Sequence, residues 1–315
     1  MRSVEIALAT YNSANYLRPQ LDSLFAQTCQ DFTLLVSDDG SADETLAIVA
    51  QYQARFPGRI RILDFPNRVG GAMENFSRLT DAFTADYAMY CDHDEVWLPD
   101  KIERSFRKMR AAEARLGNSR PVLVHTDLSI CRPDLKIVSS SRFSYERMDP
   151  ARTKLRHLLV HNAIVGCTVL MNRALYEVAR PIPNGALMHD NWMALVASSF
   201  GEILYDPEPS VLYRQHARNA IGSERWGLLS IAKRTVRFAY GNGTKALRAK
   251  SLQAQLFLDR YRQELNPRQI VTVQTLADSR RKHRAARAAS LLSGGLAKQG
   301  FLRTSGLLLS SAMLE

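Results

Sequence analysis

The sequence is short of several things, and each shortage narrows what it can do. Four cysteines are scattered through 315 residues, at Cys29, Cys91, Cys131 and Cys167, and no pair forms C-x-x-C. That spacing speaks against a zinc knuckle or a disulfide framework and fits a reducing compartment. No window reaches 18 uncharged apolar residues, so no transmembrane helix is expected. The first residues enter a strand-like run at Val4 with an acid, Glu5, inside it, which is not the composition of a signal peptide. A G-x-x-x-x-G-K phosphate loop is missing. Ser129, Ser139, Ser140 and Ser141 lie in no nucleophile-elbow motif. Internal repeats and low-complexity blocks are also missing. Acids are scarce in one region only. From Ala220 to Glu315 there are 17 Lys+Arg against 5 Asp+Glu, while the rest of the chain carries 25 against 26. The formal charge of +11 is therefore a property of the C-terminal third. Such a segment can meet anionic lipid, nucleic acid or another polyanion.

What is present is ordinary in bulk. An apolar fraction of 46% with 23% charged residues suits a globular chain. The length allows one large domain, or a domain with an appendage. Strands are predicted at residues 4–9, 32–37, 60–65 and 87–91. Helices are predicted after Asn15, after the capping-box pattern Ser41-x-x-Glu44, over 73–83 and from Pro99 to about Leu116. This alternation predicts an α/β fold with a mostly parallel sheet and helices on both faces. Beyond residue 120 the alternation breaks. Strands are expected at 122–126, 163–171, 203–205 and 211–213, with a loop over 131–149 and a helix over 189–200. After Arg225 the pattern is helical, through Ile231, Val236 and Phe238 and on through Leu247 and Leu258, and Asn266-Pro267 divides this tail.

In parallel sheets ligands gather at the carboxyl ends of the strands. Three polar clusters fall there: Thr10-Tyr11-Asn12, Asp38-Asp39-Gly40-Ser41 and Asp92-His93-Asp94-Glu95. The last places three acids within four positions at the end of an apolar run. Such carboxylates repel one another unless a cation lies between them, and hard oxygen ligands suit Mg2+ or Mn2+. Glu95 reads as a helix-start charge ahead of Pro99. Cys91, Cys167 and His93 read as packing or variable positions.

These elements resemble family-2 inverting glycosyltransferases of the GT-A fold. The resemblance is carried by Ala9-Thr10-Tyr11-Asn12, Val36-Ser37-Asp38-Asp39-Gly40-Ser41 and Cys91-Asp92-His93-Asp94. It continues through His161 to Cys167, His189-Asp190-Asn191-Trp192 and Tyr213-Arg214-Gln215-His216-x-x-Asn219. The motifs occur in the family's order over residues 3–222. They are similar to the rhamnosyltransferase-like branch that builds bacterial surface polysaccharides. The implied domains are a GT-A domain over 1–222 and a basic helical extension over 223–315.

The resemblance implies transfer of a sugar from a nucleotide diphosphate donor to a glycan hydroxyl. L-rhamnose from dTDP-rhamnose is the first expectation, with UDP- or other dTDP-sugars next. Asp92, Asp94 and His216 would hold Mg2+ or Mn2+. Asp190 would be the general base, and the family's usual Glu before it is His189 here. Thr10, Tyr11, Asn12, Asp38, Asp39, Arg68, Asp92, Gly166 and Arg214 would bind the nucleotide sugar. One of Asp38 and Asp39 would accept from a pyrimidine N3–H, and Arg214 would be a fixed cation for phosphate. The acceptor would be a growing, lipid-linked glycan. Apart from the resemblance, the placement of charge leads us to expect that the basic tail, with a cationic face at Arg280, Arg281, Lys282, Arg284 and Arg287, meets anionic headgroups, or else forms a solvated basic helix or an oligomer interface. A cytoplasmic enzyme, peripheral at the inner face of the membrane, is the expected setting, and nucleic acid is not an expected partner. A nucleotidyltransferase would also place carboxylates and magnesium on such a sheet. It would normally carry a glycine-rich, basic first loop, and Ala9-Thr10-Tyr11-Asn12 has none. A non-catalytic polyanion-binding scaffold would explain the tail but not the retained Asp92, Asp94 and Asp190.

Overall fold

The structure is a computed structural model that describes residues 3–65, 67–216, 225, 242–281 and 283–313. It divides into two compact units. The first comprises residues 1–142, 164–182 and 201–223, and the second 143–163, 183–200 and 224–315.

A nine-stranded sheet organises the first unit. The strands are β1 (Val4–Thr10), β2 (Phe32–Asp38), β3 (Ile60–Ile62), β4 (Tyr87–Asp92), β5 (Val96–Trp97), β6 (Val122–Cys131), β7 (Ile137–Ser139), β8 (Val169–Asn172) and β9 (Glu202–Arg214). Their order is β3-β2-β1-β4-β8-β6-β9-β5, with β7 on β6. The first four of these neighbours run parallel, as the alternation predicts. The far half is mixed: β8 is antiparallel to β4 and β6, β9 is parallel to β6, and β5 is antiparallel to β9. All seven residues of β1 are buried. That is why the strand reads as a continuous apolar run and not as an alternation. Helices α1 (Ala14–Phe25), α2 (Thr45–Arg55), α3 (Ala72–Asp81) and α4 (Lys101–Leu116) follow the early strands. Each buries one stripe, as Leu17, Leu21 and Leu24 do on α1.

Several local expectations change. Ser41 does not cap α2. Its hydroxyl donates to Asp38 Oδ1 at 2.6 Å and accepts from the Asn12 N–H at 2.8 Å, so it serves the loop and not the helix. Of the expected 163–171 strand only residues 169–171 are extended, in β8, because Gly166–Thr168 form one 3-10 turn. The two short strands expected at 203–205 and 211–213 are one strand, β9. Glu95 lies ahead of β5, six residues before α4 begins, and is buried; it is not a helix-start charge.

Glu5 shows what a buried acid in this sheet normally requires. Its carboxylate accepts from Thr84 N at 2.6 Å, Thr84 Oγ1 at 3.0 Å and Ala85 N at 3.0 Å, and Arg61 Nη1 lies 3.4 Å away. Hydrogen bonds to a charged group contribute about 1.5–3 kcal/mol each, enough to offset the cost of burying the charge. They also fix the turn that leads into β4.

The second unit is helical in its larger elements: His189–Phe200, Asn242–Tyr261, Pro267–Ala277, Arg284–Ser293 and Phe301–Met313. Asn266 does divide the tail. Its side chain accepts from Gln269 N, and Gln269 returns the bond to Asn266 N, with Pro267 at the first helical position. Trp192 is fully buried against Phe257 and Tyr261, at ring-centroid distances of 5.4 and 6.0 Å. Arg287 is buried too, and its Nη1 donates to the Ser311 carbonyl. It is therefore a packing residue and not part of an exposed basic face. Lys282, Asn219, the run through Ile231, Val236 and Phe238, and the Arg284 side chain lie outside the described residues. Among the described residues, no helix is long and apolar enough to cross a membrane.

Two fully buried histidines, one in each unit, contribute to the response to acid. Burial, with the Arg142 cation adding to it, pushes His125 down to about 3. Burial alone pushes His189 down to about 3. Both imidazoles stay neutral in the fold but would protonate near pH 6.5 in the unfolded chain. The unfolded state therefore binds more protons between pH 6.5 and about 3, and stability falls as the pH drops through that window. Each site costs about 1.4 kcal/mol per pH unit. In urea unfolding these two histidines are expected to contribute a loss of roughly 4 kcal/mol between pH 7 and pH 5. His125→Gln is expected to lose about 2 kcal/mol less than the parent protein over the same interval. An equal loss in both proteins would overturn this account of His125.

Candidate active site

β1, β2 and β4 end together. In register, Thr10 stands opposite Asp38, and Ala9 opposite Asp92. The loops after β1 and β2 are tied by side chains. Asp38 Oδ1 accepts from Thr10 Oγ1 at 2.8 Å and from Ser41 Oγ at 2.6 Å, while Oδ2 accepts from Gly40 N at 3.0 Å and Ser41 N at 2.7 Å. Asn12 adopts a left-handed backbone, φ 48°, and its Oδ1 accepts from Ala42 N at 2.9 Å. A carboxylate has about four acceptor positions. Asp38 uses all of them on its own loops, and Thr10 spends its hydroxyl on Asp38.

Asp39 is different. It is buried, with Val69 N at 2.7 Å from Oδ1 and Gly70 N at 2.8 Å from Oδ2. One acceptor position remains on each oxygen. Arg78 Nη2 lies 3.7 Å from Oδ1, and the same guanidinium donates to Ser37 Oγ, Asp38 O and Asn67 O. Arg68 Nε donates to Asp39 O at 2.8 Å, and its guanidinium lies 5.2 Å from the ring centroid of Tyr11. Tyr11 is 51% exposed, so it is not a core aromatic. Gly40, at φ +79°, has no room for a side chain, because a Cβ there would stand 2.6 Å from Arg68 Nε. The site thus offers an aromatic, a guanidinium and a carboxylate with accepting capacity side by side.

The acidic turn after β4 meets the end of β9. His216 Nε2 lies 2.8 Å from Asp94 Oδ2, which joins residues 122 apart in sequence. The His216 ring stacks on Tyr16 at 4.6 Å, and Tyr16 in turn lies 4.8 Å from the Arg214 guanidinium. Arg214 is 5% exposed; its Nε donates to the Asp94 carbonyl at 2.9 Å and its Nη1 to the Pro133 carbonyl. It positions the Asp94 backbone. Glu95 is pushed well above the usual carboxylate range by burial and by the Asp92 and Asp94 carboxylates. Lys101, also buried, is pushed down to about 8.

Gly166 opens the buried 3-10 turn that carries Cys167. Thus Thr10, Tyr11, Asn12, Asp38, Asp39, Arg68, Asp92, Asp94, Gly166, Arg214 and His216 all belong to the first unit, and Asp190 to the second. Asp190 is half-buried in the first turn of the helix His189–Phe200, one residue inside its start, so it is not an N-cap. Asn162 Nδ2 lies 3.4 Å from its Oδ1. His189 and Trp192, which flank it, are core residues of that unit. Sequence reasoning missed Arg78 and Tyr16. The signal for Arg78 was a basic residue three positions after the buried Asn75 on α3.

The family model described as Glycosyl transferase family 2 matches residues 5–179. The dTDP-rhamnosyl transferase RfbG of Shigella flexneri is 30% identical over 227 residues, which are 69% of this chain and 74% of that protein. Two further glycosyltransferase relatives, from Rickettsia, are matched over about half of their length. Among solved structures, residues 1–349 of TarS from S. aureus, in complex with UDP, are similar at 12% identity. That match covers 98% of this chain and 90% of that one, with a TM-score of 0.55. The mannosyltransferase PcManGT from Pyrobaculum calidifontis, in complex with GDP-Man and Mn2+, is similar at 17% identity, covering 98% and 79%, with a TM-score of 0.54. A parallel sheet edge lined with carboxylates, a GT-A architecture and a family match over more than half of its length place this chain in glycosyltransferase family 2.

Proposed function

We propose that the protein transfers L-rhamnose from dTDP-L-rhamnose, with inversion, to a hydroxyl of a growing lipid-linked surface glycan. The observation that carries the proposal is the Asp94–His216 contact at the carboxyl edge of the parallel strands. A carboxylate oxygen and an imidazole nitrogen 2.8 Å apart are close enough to share one divalent ion. Asp94 and His216 would hold Mg2+ or Mn2+, with Asp92 shared between that ion and the ribose. When bound, the cation supplies Lewis-acid stabilisation of the charge gathered by the leaving diphosphate. Arg214 and Tyr16 keep Asp94 and His216 in register.

The chain's own groups support a pyrimidine donor. Asp39 keeps one acceptor position on each oxygen beside Tyr11 and Arg68, which suits the N3–H of thymine or uracil. Asp38 and Thr10 hold the loop that presents it, with Asn12 bridging to Ala42. Gly166 would let backbone approach the sugar. Asp190 would take the proton of the acceptor hydroxyl as general base. RfbG, named a dTDP-rhamnosyl transferase, supports rhamnose in particular. All four cysteines are free, which supports a reducing, cytoplasmic setting. In domain terms the proposal keeps a GT-A domain over residues 1–222 and a helical extension over 223–315.

We also propose an anionic lipid surface as the partner of that extension. Phe301 is 83% exposed, and Leu302, Leu309 and Met313 are exposed on the same helix, with Leu302, Leu309 and Met313 at helical spacing. Arg280 and Arg281 are exposed in the same unit. Apolar side chains beside an excess of cations suit an interfacial helix.

Three outcomes are expected. In a thermal-shift screen of nucleotide sugars, dTDP-rhamnose with Mn2+ gives the largest stabilisation, since the shift follows ligand occupancy. Asp94→Asn abolishes the metal-dependent part of that shift, while Asp190→Asn keeps it and lowers kcat about 10²–10⁴-fold. Unchanged turnover in Asp190→Asn would remove that residue from the reaction. In sedimentation with anionic vesicles, Phe301→Ser/Leu302→Ser weakens binding by roughly tenfold or more, given about 1.5–3 kcal/mol for each buried side chain. Equal binding would leave the helix without that role.

A further inference from the structure

The first unit holds two kinds of buried acid. Glu5 is surrounded by donors, as described above. Glu95 is 1% exposed, and neither carboxylate oxygen has a hydrogen-bond partner of normal geometry. The Cys167 thiol approaches it, within 4.8 Å. Lys101, buried close by, does not pair with it. Its Nζ lies 3.4 Å from Ser210 Oγ and 4.5 Å from the ring centroid of Trp97. Burying a carboxyl group without compensating bonds costs several kcal/mol, so an acid left in this state is a poor structural element.

The surroundings suggest why it is kept. One donor atom from each of Asp92, Glu95 and Cys167 lies within 4.8 Å of the others. Glu95 and Cys167 are buried and Asp92 is half-buried, so the group is closed except on the Asp92 side. It draws on three segments: the end of β4, the turn before β5 and the 3-10 turn Gly166–Thr168. The donor set differs from that of Asp94 and His216. Two carboxylates with a thiolate match a borderline, thiophilic ion of the zinc class, with water as a fourth ligand, and not Mg2+.

We propose that Asp92, Glu95 and Cys167 form a second cation site that takes a zinc-class divalent ion. Coordination displaces the thiol proton to solvent and forms a metal–thiolate bond. The ion gives the Glu95 carboxylate its missing partner and pins the end of β4 to the Gly166–Thr168 turn. Because it engages Asp92, it withdraws that carboxylate from the donor's ion, so zinc-class metals would oppose the transfer reaction.

The test is a Cd2+ titration of the full chain, read by the ultraviolet cadmium–thiolate absorption. This readout does not depend on sugar transfer, so its failure and that of the proposed activity are separable. One equivalent of Cd2+ is expected to raise the band in the native protein, and excess Mg2+ leaves it unchanged. Cys167→Ser removes the band, and Glu95→Gln weakens Cd2+ affinity at least about tenfold. His216→Ala and Cys91→Ala keep the band. A native protein with no band, a band that survives Cys167→Ser, or a band lost in His216→Ala would each overturn the proposal. Should Cys167→Ser fail to fold, unchanged Cd2+ affinity in Glu95→Gln overturns it equally.

Discussion

The carboxylate of Asp38 is the tie on which the nucleotide end of the site depends. Four hydrogen bonds converge on it, two from its own turn's backbone and two from the hydroxyls of Thr10 and Ser41. Charge-assisted bonds of this kind contribute about 1.5–3 kcal/mol each, which is ample to hold two loops in one geometry. Everything else there is set by that geometry. Ser41 reaches on to Asn12, Gly40 makes room for Arg68, and Asp39 is turned toward Val69 and Gly70. A fully occupied carboxylate beside a partly occupied one divides the labour of the acidic pair: Asp38 holds, and Asp39 is left able to accept.

The same contrast runs through the acids elsewhere in the sheet. Glu5 is surrounded by donors and behaves as a fixed internal cap. Asp94 has an imidazole against it and an arginine on its own carbonyl. Glu95 has neither, and its carboxyl is pushed toward the neutral form. Buried carboxyl groups are thus graded by how completely the protein completes their bonding. The least completed ones lie at the carboxyl edge of β4, where ligands of such sheets gather.

Much of this was legible in the sequence, and the reasons are local. β1, β2 and β4 are buried on both faces, so each announces itself as an apolar run that stops at a polar cluster. The order of those clusters identified the family before any geometry was known. What escaped was long-range. Glu95 reads as a helix-start charge because Pro99 stands near it, yet its surroundings include Cys167, 72 positions away. Arg214 reads as a phosphate ligand because it sits two residues from His216, but it is buried against the carbonyls of Asp94 and Pro133. Arg287 falls in a basic run and still packs inside, because its partner carbonyl at Ser311 lies on another helix. Periodicity reports whether a position is buried; it carries no record of which distant group meets it there. For Asp190, burial explains the flanking His189 and Trp192, so its proposed role rests on the family resemblance and not on its neighbours.

The second unit is assembled from three separate stretches of chain, and this has a consequence for the order of synthesis. Trp192 leaves the ribosome 65 residues ahead of Phe257, against which it is buried. At about 5–20 residues per second, the indole waits roughly 3–13 seconds for its cover. The helix that carries Asp190 is therefore among the early-made elements that cannot complete their packing until the tail is translated. During that interval the nascent chain presents a large apolar side chain, and a pause in translation ahead of residue 257 would lengthen its exposure to misassembly.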